Sequence, residues 1–277
     1  MIRSVFLGCG SYLPARCVTN DQLIAEKHLD SSNEWVERRT GIKERHIAAE
    51  GELTSDLAVK AATQALEKSG LTIKDIDAIV LATTTPDDRV PAAAARVQAK
   101  LGMERGFAVD INAACSGFIY ALTMADNFIR TGQVKTVLVI GAETLSHITD
   151  WTDRSTCFLF GDGAGAVVLT AKEGLGMNID QGILATALHS DGRNYDMLRT
   201  NEKGFLVMDG QAVFRAAVTN LSDVVDEALT MTGLKPEEVD WLVPHQANQR
   251  IIDGTGKKLK LPAERVVSTI AYHANTA

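Results

Sequence analysis

Chemistry in this chain could start at Cys115, within Phe107-Ala-Val-Asp-Ile-Asn-Ala-Ala-Cys-Ser-Gly-Phe118. The alternating apolar run from Phe107 to Ile111 predicts a strand. Phe118, Leu122, Ala125 and Ile129, three or four residues apart, predict a helix. Cys115 then falls on the turn between them, at a helix N-terminus. Aligned peptide dipoles favour an anion there, so the thiol is expected to ionise more easily than a free one and to serve as a covalent nucleophile. A cysteine at such a turn is equally at home as a small buried hydrophobe.

An internal repeat supplies the partners. Ala65-Leu-Glu-Lys-Ser-Gly-Leu-Thr-Ile-Lys-Asp-Ile-Asp-Ala-Ile-Val80 recurs as Ala228-Leu-Thr-Met-Thr-Gly-Leu-Lys-Pro-Glu-Glu-Val-Asp-Trp-Leu-Val243, at an offset of 163 residues. Each copy reads as a helix, a glycine stop, an acidic turn and a buried strand. At an offset of 160, Glu104-Arg105 matches Glu264-Arg265 and Ala114-Cys115 matches Ala274-Asn275. The repeat predicts two related α/β halves, 1–172 and 173–277, about a pseudo-twofold axis. Cys115 and Asn275 occupy equivalent strand ends, and His245 lies just past the repeated strand. Sites in open α/β sheets form outside the carboxyl ends of strands, so these three groups are expected to converge. After Asn275 the repeat calls for a further helix and two strands, so the C-terminal half is expected to be truncated in this chain.

Composition sets the frame. The 277 residues are 45% hydrophobic and 23% charged, as in an ordinary globular protein. A formal charge of −7 argues against nucleic acid as a partner, though a local basic patch can still receive an acidic protein. The four cysteines lie far apart with no C-x-x-C pair. That makes a disulfide framework or a structural zinc site improbable and a reducing cytoplasm the expected location. No stretch approaches the roughly 20 apolar residues of a membrane span. The histidines lack metal-ligand spacing, and no metal is expected. Gly161-Asp-Gly-Ala-Gly165 has the look of a dinucleotide loop, but Ala166-Val-Val-Leu169 after it reads as a strand, whereas phosphate cradling needs a helix N-terminus.

Further motifs identify a family. Glu34-Trp35, Arg39-Thr40-Gly41-Ile42, Glu44-Arg45, Ala113-Ala-Cys-Ser-Gly117, Thr152-Asp-Arg154, Phe160-Gly-Asp-Gly-Ala-Gly-Ala166, His245-Gln-Ala-Asn248 and His273-Ala-Asn275 occur in this order along the chain. With them the chain resembles β-ketoacyl-acyl carrier protein synthase III of the thiolase-like superfamily, the acyltransferase that primes type II fatty-acid synthesis. The resemblance implies a layered αβαβα thiolase-like fold, with two five-stranded mixed sheets in the intact protein, working as a homodimer. It implies an acyl-CoA primer, acetyl-CoA by default, condensed with malonyl-acyl carrier protein and no cofactor. In that reading Cys115 is acylated, and the His245 imidazole and Asn275 amide stabilise the enolate left by decarboxylation.

The same resemblance assigns Trp35 and Arg154 to the CoA adenine, Arg39 and Thr40 to its phosphates and base, and Gly210 and Asn248 to the pantetheine tunnel. Arg215, Arg250, Lys257 and Lys258 match the surface that receives the carrier protein. The segment 83–91 is expected to cross the dimer interface, where Val90 stands in place of a bulkier side chain and would admit a longer or branched primer. Two alternatives remain open at this point. One is a polyketide or quinolone-type condensing enzyme with a CoA-linked acceptor. The other is a catalytically silent subunit on the same scaffold.

Overall fold

The computed structural model describes all residues, Met1–Ala277. Along the chain the strands and helices are β1 (Ile2–Tyr12), β2 (Arg16–Thr19), α1 (Asn20–Lys27), α2 (Asn33–Thr40), β3 (Glu44–Ile47), α3 (Thr54–Ser69), β4 (Ala78–Ala82), α4 (Ala93–Leu101), β5 (Phe107–Ile111), α5 (Gly117–Arg130), β6 (Thr136–Thr144), β7 (Asp162–Glu173), β8 (Leu198–Thr200), β9 (Leu206–Met208), α6 (Gly210–Thr232), α7 (Gln249–Lys258) and α8 (Ile270–His273). They form two compact units that interleave in sequence. The first is Met1–Pro14, Ala48–Thr144 and Gly163–Leu188; the second is Ala15–Ile47, Leu145–Asp162 and His189–Ala277.

In the first unit the sheet order is β1-β7-β6-β4-β5. β4 runs parallel to both β5 and β6, while β1 and β7 are antiparallel. All five residues of β4 are buried, as expected of a strand covered on both faces. Ile79 and Leu81 join Leu138 and Ile140 of β6 against the alanines of α3 and α4. Ala78, Val80 and Ala82 point the other way, to Ala121, Ala125 and Ile129 of α5. Gly8 and Gly10 let β1 lie directly on α3, since a Cβ there would come within 2.5 Å of the Ala65 carbonyl oxygen and 2.1 Å of the Ala61 one. The strands expected near 107–111, 136–141 and 164–169 and the helix after Cys115 are all present. The Gly161–Gly165 run leads into β7 rather than a helix, which removes the dinucleotide-loop reading.

The second unit is built on two small antiparallel strand pairs, β2/β3 and β8/β9, with α1, α2, α6, α7 and α8. Arg45 of β3 is fully buried and donates to the carbonyls of Val18 (3.1 Å) and Phe158 (3.1 Å) and to Asn20 Oδ1 (2.8 Å). The repeat is visible in the local structure. α3 stops at Gly70 (φ 71°) before a turn at Ile73–Asp75, and α6 stops at Gly233 (φ 68°) before a turn at Pro236–Glu238. The second copy's buried strand is not formed, however. A single parallel bridge joins Leu242 to Val266, and Trp241 and Val243 stay exposed. These residues therefore build one five-stranded sheet, not two, because the 239–243 segment finds a pairing partner on one side only.

Candidate active site

In the first unit, β5 delivers the chain to a short turn, Ala114–Ser116, that runs straight into α5, so Cys115 occupies the predicted strand-to-helix corner. Ala114 before it has φ 45°, and in the second unit Ala274 before Asn275 has φ 57°. Non-glycine residues rarely take such angles, at a cost of order 1–3 kcal/mol, and they gather at functional sites. The two residues matched by the repeat thus share a strained approach.

The thiol departs from expectation. Burial, with the Glu143 carboxylate adding to it, pushes the Cys115 thiol up to about 11, and a backbone hydrogen bond pulling the other way is outweighed. Desolvation penalises the thiolate more than the helix terminus favours it, so Cys115 rests as a neutral thiol. Glu143 went unnoticed in the sequence, where its only signal was a carboxylate ending the apolar strand Thr136–Gly141. It is 5% exposed and accepts hydrogen bonds from Thr84 N (2.7 Å), Thr84 Oγ1 (3.1 Å), Thr83 Oγ1 (3.3 Å) and Thr85 Oγ1 (2.5 Å). Burial still dominates and raises it to about 7.

Glu143 and Cys115 are therefore electrostatically linked. Glu143→Gln removes a negative charge near the thiol while keeping an acceptor for Thr84 N, so Cys115 is expected to ionise at lower pH. Iodoacetamide alkylation of Cys115, followed by peptide mapping from pH 6 to 10, checks this. An unchanged profile would mean that the carboxylate charge does not reach the sulfur.

In the second unit, burial lowers His245 to about 4, so its imidazole is neutral near pH 7. Its stabilising contribution is present above the unfolded value of 6.5 and is lost as pH falls towards 4. Glu143 acts in the opposite sense, with a contribution present below 4.5 and lost as pH rises through about 7. Asn275 bridges Phe160 in parallel, its N–H donating to Leu159 O (2.9 Å) and its carbonyl accepting from Gly161 N (3.0 Å). Its side-chain Oδ1 accepts from Ala277 N (2.9 Å), which fixes the amide orientation and leaves Nδ2 as the donor end.

Four of the predicted CoA residues come together in this unit. The guanidinium carbons of Arg39 and Arg154 lie 5.6 Å and 5.7 Å from the centre of the half-buried Trp35 ring. Asn248 Nδ2 donates to Arg39 O (3.1 Å), and its Oδ1 caps α7 at Arg250 N (2.9 Å). Arg154 pairs with Asp30 (3.5 Å), both at the surface. The Thr40 hydroxyl donates to Val36 O (2.7 Å) and accepts from Ile42 N (3.0 Å), closing the end of α2. Gly210 is the exposed first residue of α6. Arg215, Arg250, Lys257 and Lys258 are all exposed on α6 and α7; Lys258 faces Asp223 (3.6 Å) and Asp226 (3.5 Å), and Arg250 lies 5.1 Å from the Phe214 ring. Cys17, Glu44 and His46 gather one ligand-capable atom each within 4.8 Å. Burial, together with the charge of the Glu44 carboxylate and a hydrogen bond to it, raises the Cys17 thiol.

Comparison with known proteins follows the same lines. The pattern of 3-oxoacyl-(acyl-carrier-protein) synthase III matches residues 109–192, and that of the same family's C-terminal segment matches 229–277. Both of the family's segments are represented in the chain. The whole chain aligns at 56% identity with a beta-ketoacyl-(acyl-carrier-protein) synthase III of Paramagnetospirillum magneticum and at 58% with one of Rhodospirillum centenum, spanning 87% of each. The crystal structure of 3-oxoacyl-(acyl-carrier-protein) synthase III from Aquifex aeolicus superposes with a TM-score of 0.93 at 48% identity, over 99% of this chain and 86% of that one.

Proposed function

The chain belongs to the 3-oxoacyl-(acyl-carrier-protein) synthase III family, and we propose that Cys115, His245 and Asn275 carry the family's reaction in it. The fold is thiolase-like. The enzyme is an acyltransferase that condenses an acyl-CoA primer with malonyl-acyl carrier protein and so initiates fatty-acid synthesis. With relatives at this identity, neither the polyketide or quinolone reading nor the silent-subunit reading is favoured.

In the proposed sequence the Cys115 sulfur gives up its proton and attacks the primer's thioester carbonyl; the bond between the acyl carbon and the CoA sulfur breaks, and CoA takes up a proton and leaves as the thiol. Malonyl-acyl carrier protein then releases CO₂, and the bonding pair remains as an enolate. The neutral N–H of His245 and the amide of Asn275 donate to its oxygen. The carbanion attacks the acyl carbonyl, a C–C bond forms, and the Cys115 thiolate leaves and is reprotonated. A histidine held neutral by burial suits this donor role, because it stabilises an anion without a proton to lose first. The 1–172 half would supply the nucleophile and the 173–277 half the two donors.

The observation that carries this reading is Cys115 at the β5–α5 corner behind a strained Ala114. Incubation with acetyl-CoA, intact mass measurement and peptide mapping test it: an acetyl adduct on Cys115 is expected, and an adduct elsewhere would overturn the assignment. Trp35 and Arg154 are proposed to hold the adenine by stacking. Trp35→Ala should then raise KM for acetyl-CoA about 5- to 150-fold, from the ~1–3 kcal/mol of base–aromatic stacking, with little change in kcat. Steady-state kinetics with acetyl-CoA varied check it.

Arg39, Thr40, Gly210 and Asn248 complete the proposed CoA path, Asn248 by anchoring Arg39 and Thr40 by closing α2. Arg215, Arg250, Lys257 and Lys258 are proposed to receive the acidic carrier protein, with Lys258 sharing its charge with two aspartates. The reaction as written requires no cofactor. A homodimer is proposed as the working form, since Val90, 84% exposed, offers an apolar surface for a second copy to cover. No helix is long and apolar enough to cross a membrane, and a cytoplasmic location is proposed.

A further inference from the structure

Between His245 and Asn275 in sequence, one side chain ties their two segments together. The Gln246 amide donates through Nε2 to Pro244 O (2.9 Å) and Val267 O (3.1 Å). Its Oε1 accepts from Thr269 N (2.7 Å), Ile270 N (3.2 Å) and Thr269 Oγ1 (3.5 Å). Both amide protons and the oxygen are thereby used, on partners 2 to 24 residues away in sequence. Pro244 immediately precedes His245. Thr269 and Ile270 open α8, which ends two residues before Asn275.

We infer that Gln246 is a positioning residue that holds the turn bearing His245 in register with the segment bearing Asn275. The inference rests on the proposed role of those two residues as the enolate donors. Donors to a developing oxyanion act only within a narrow geometry, and a displacement of about 1 Å costs up to ~10²-fold in rate. A single amide bonded to both segments fixes their relative position in a way that two separate loops would not. It also explains why a half-buried glutamine directly follows His245: an apolar residue there would leave the Thr269 and Ile270 N–H groups and the Val267 carbonyl without these partners.

The two half-reactions separate this role from general stability. Gln246→Met matches the side chain in length but removes all five hydrogen bonds. Acetylation of Cys115, followed by intact mass, is expected to stay within twofold of wild type. Condensation with malonyl-acyl carrier protein is expected to fall 10- to 100-fold in kcat with KM nearly unchanged. Gln246→Glu keeps the acceptor for Thr269 and Ile270, and serves if the Met variant is poorly folded; condensation should again fall while acetylation holds. Wild-type condensation in a folded variant, or a parallel loss of both half-reactions, overturns the inference. His245→Ala and Asn275→Ala run alongside. If they condense normally, the enolate reading itself fails; if they lose condensation while the Gln246 variants keep it, only the positioning role falls.

Discussion

Cys115→Ser leaves no acetyl adduct after incubation with acetyl-CoA and lowers overall condensation by at least about 10⁴-fold, since loss of a nucleophile from a unit that acts together costs up to ~10⁶. The argument is chemical rather than steric. Serine differs from cysteine by one atom, so the corner between β5 and α5 and the strained Ala114 should be unaffected and the melting temperature nearly unchanged. What changes is the nucleophile. A site that already holds the thiol up to about 11, by burial and by Glu143, asks for an acidic and polarisable group. A hydroxyl there ionises far less readily. It is also a poor leaving group when the carbanion displaces it from the acyl intermediate. Intact mass after acetyl-CoA treatment and coupled turnover with malonyl-acyl carrier protein are the readouts. A seryl ester at position 115 that forms and turns over at near wild-type rate would remove Cys115 from the mechanism.

Much of the first unit was legible because its elements follow local rules. β4 is an unbroken apolar run, β5 alternates, and α5 carries its apolar residues at helical spacing, so each could be read without a partner. The repeat was equally legible, down to the glycine stops at Gly70 and Gly233, because a left-handed C-cap is a single-residue requirement. The strand expected after the second stop was misread for the complementary reason. Val239–Val243 has the composition of a strand, but a strand exists only through its neighbours, and one bridge to Val266 is all it finds.

The site divided along the same line. Residue types make Cys115, His245 and Asn275 the candidates, but the state of the thiol depends on burial and on Glu143, which lies 28 residues away in sequence. The helix-terminus argument was sound locally and lost to desolvation, a property of the folded surroundings. Arg45 and Gln246 belong to short motifs, yet their roles lie in contacts that span 25 to 113 and 2 to 24 residues. No periodicity encodes such distances. The left-handed angles at Ala114 and Ala274 were also hidden, since alanine carries no signal for them.

Asn275→Ala separates the two halves of the reaction and has the second-largest expected effect. Acetylation of Cys115 should proceed at nearly the wild-type rate, because the enolate donors play no part in the first transfer. Condensation should fall about 10²- to 10³-fold in kcat, the usual loss for one oxyanion donor. Removing the amide spares the main-chain ties to Leu159 and Gly161, which do not involve the side chain, and forfeits only the bond from Ala277 N. Asn275→Asp is the sharper variant. It retains an oxygen for Ala277 N and the shape of the amide, but puts a carboxylate where Nδ2 stood. An anion beside a forming enolate is repelled, so condensation should fall further than in the alanine variant although the fold is better conserved. A structural role predicts the reverse order, with Asp the milder change. Measuring acetyl transfer by mass and condensation by product formation for both variants therefore decides between a donor and a strut, since only a donor makes the more conservative substitution the more damaging one.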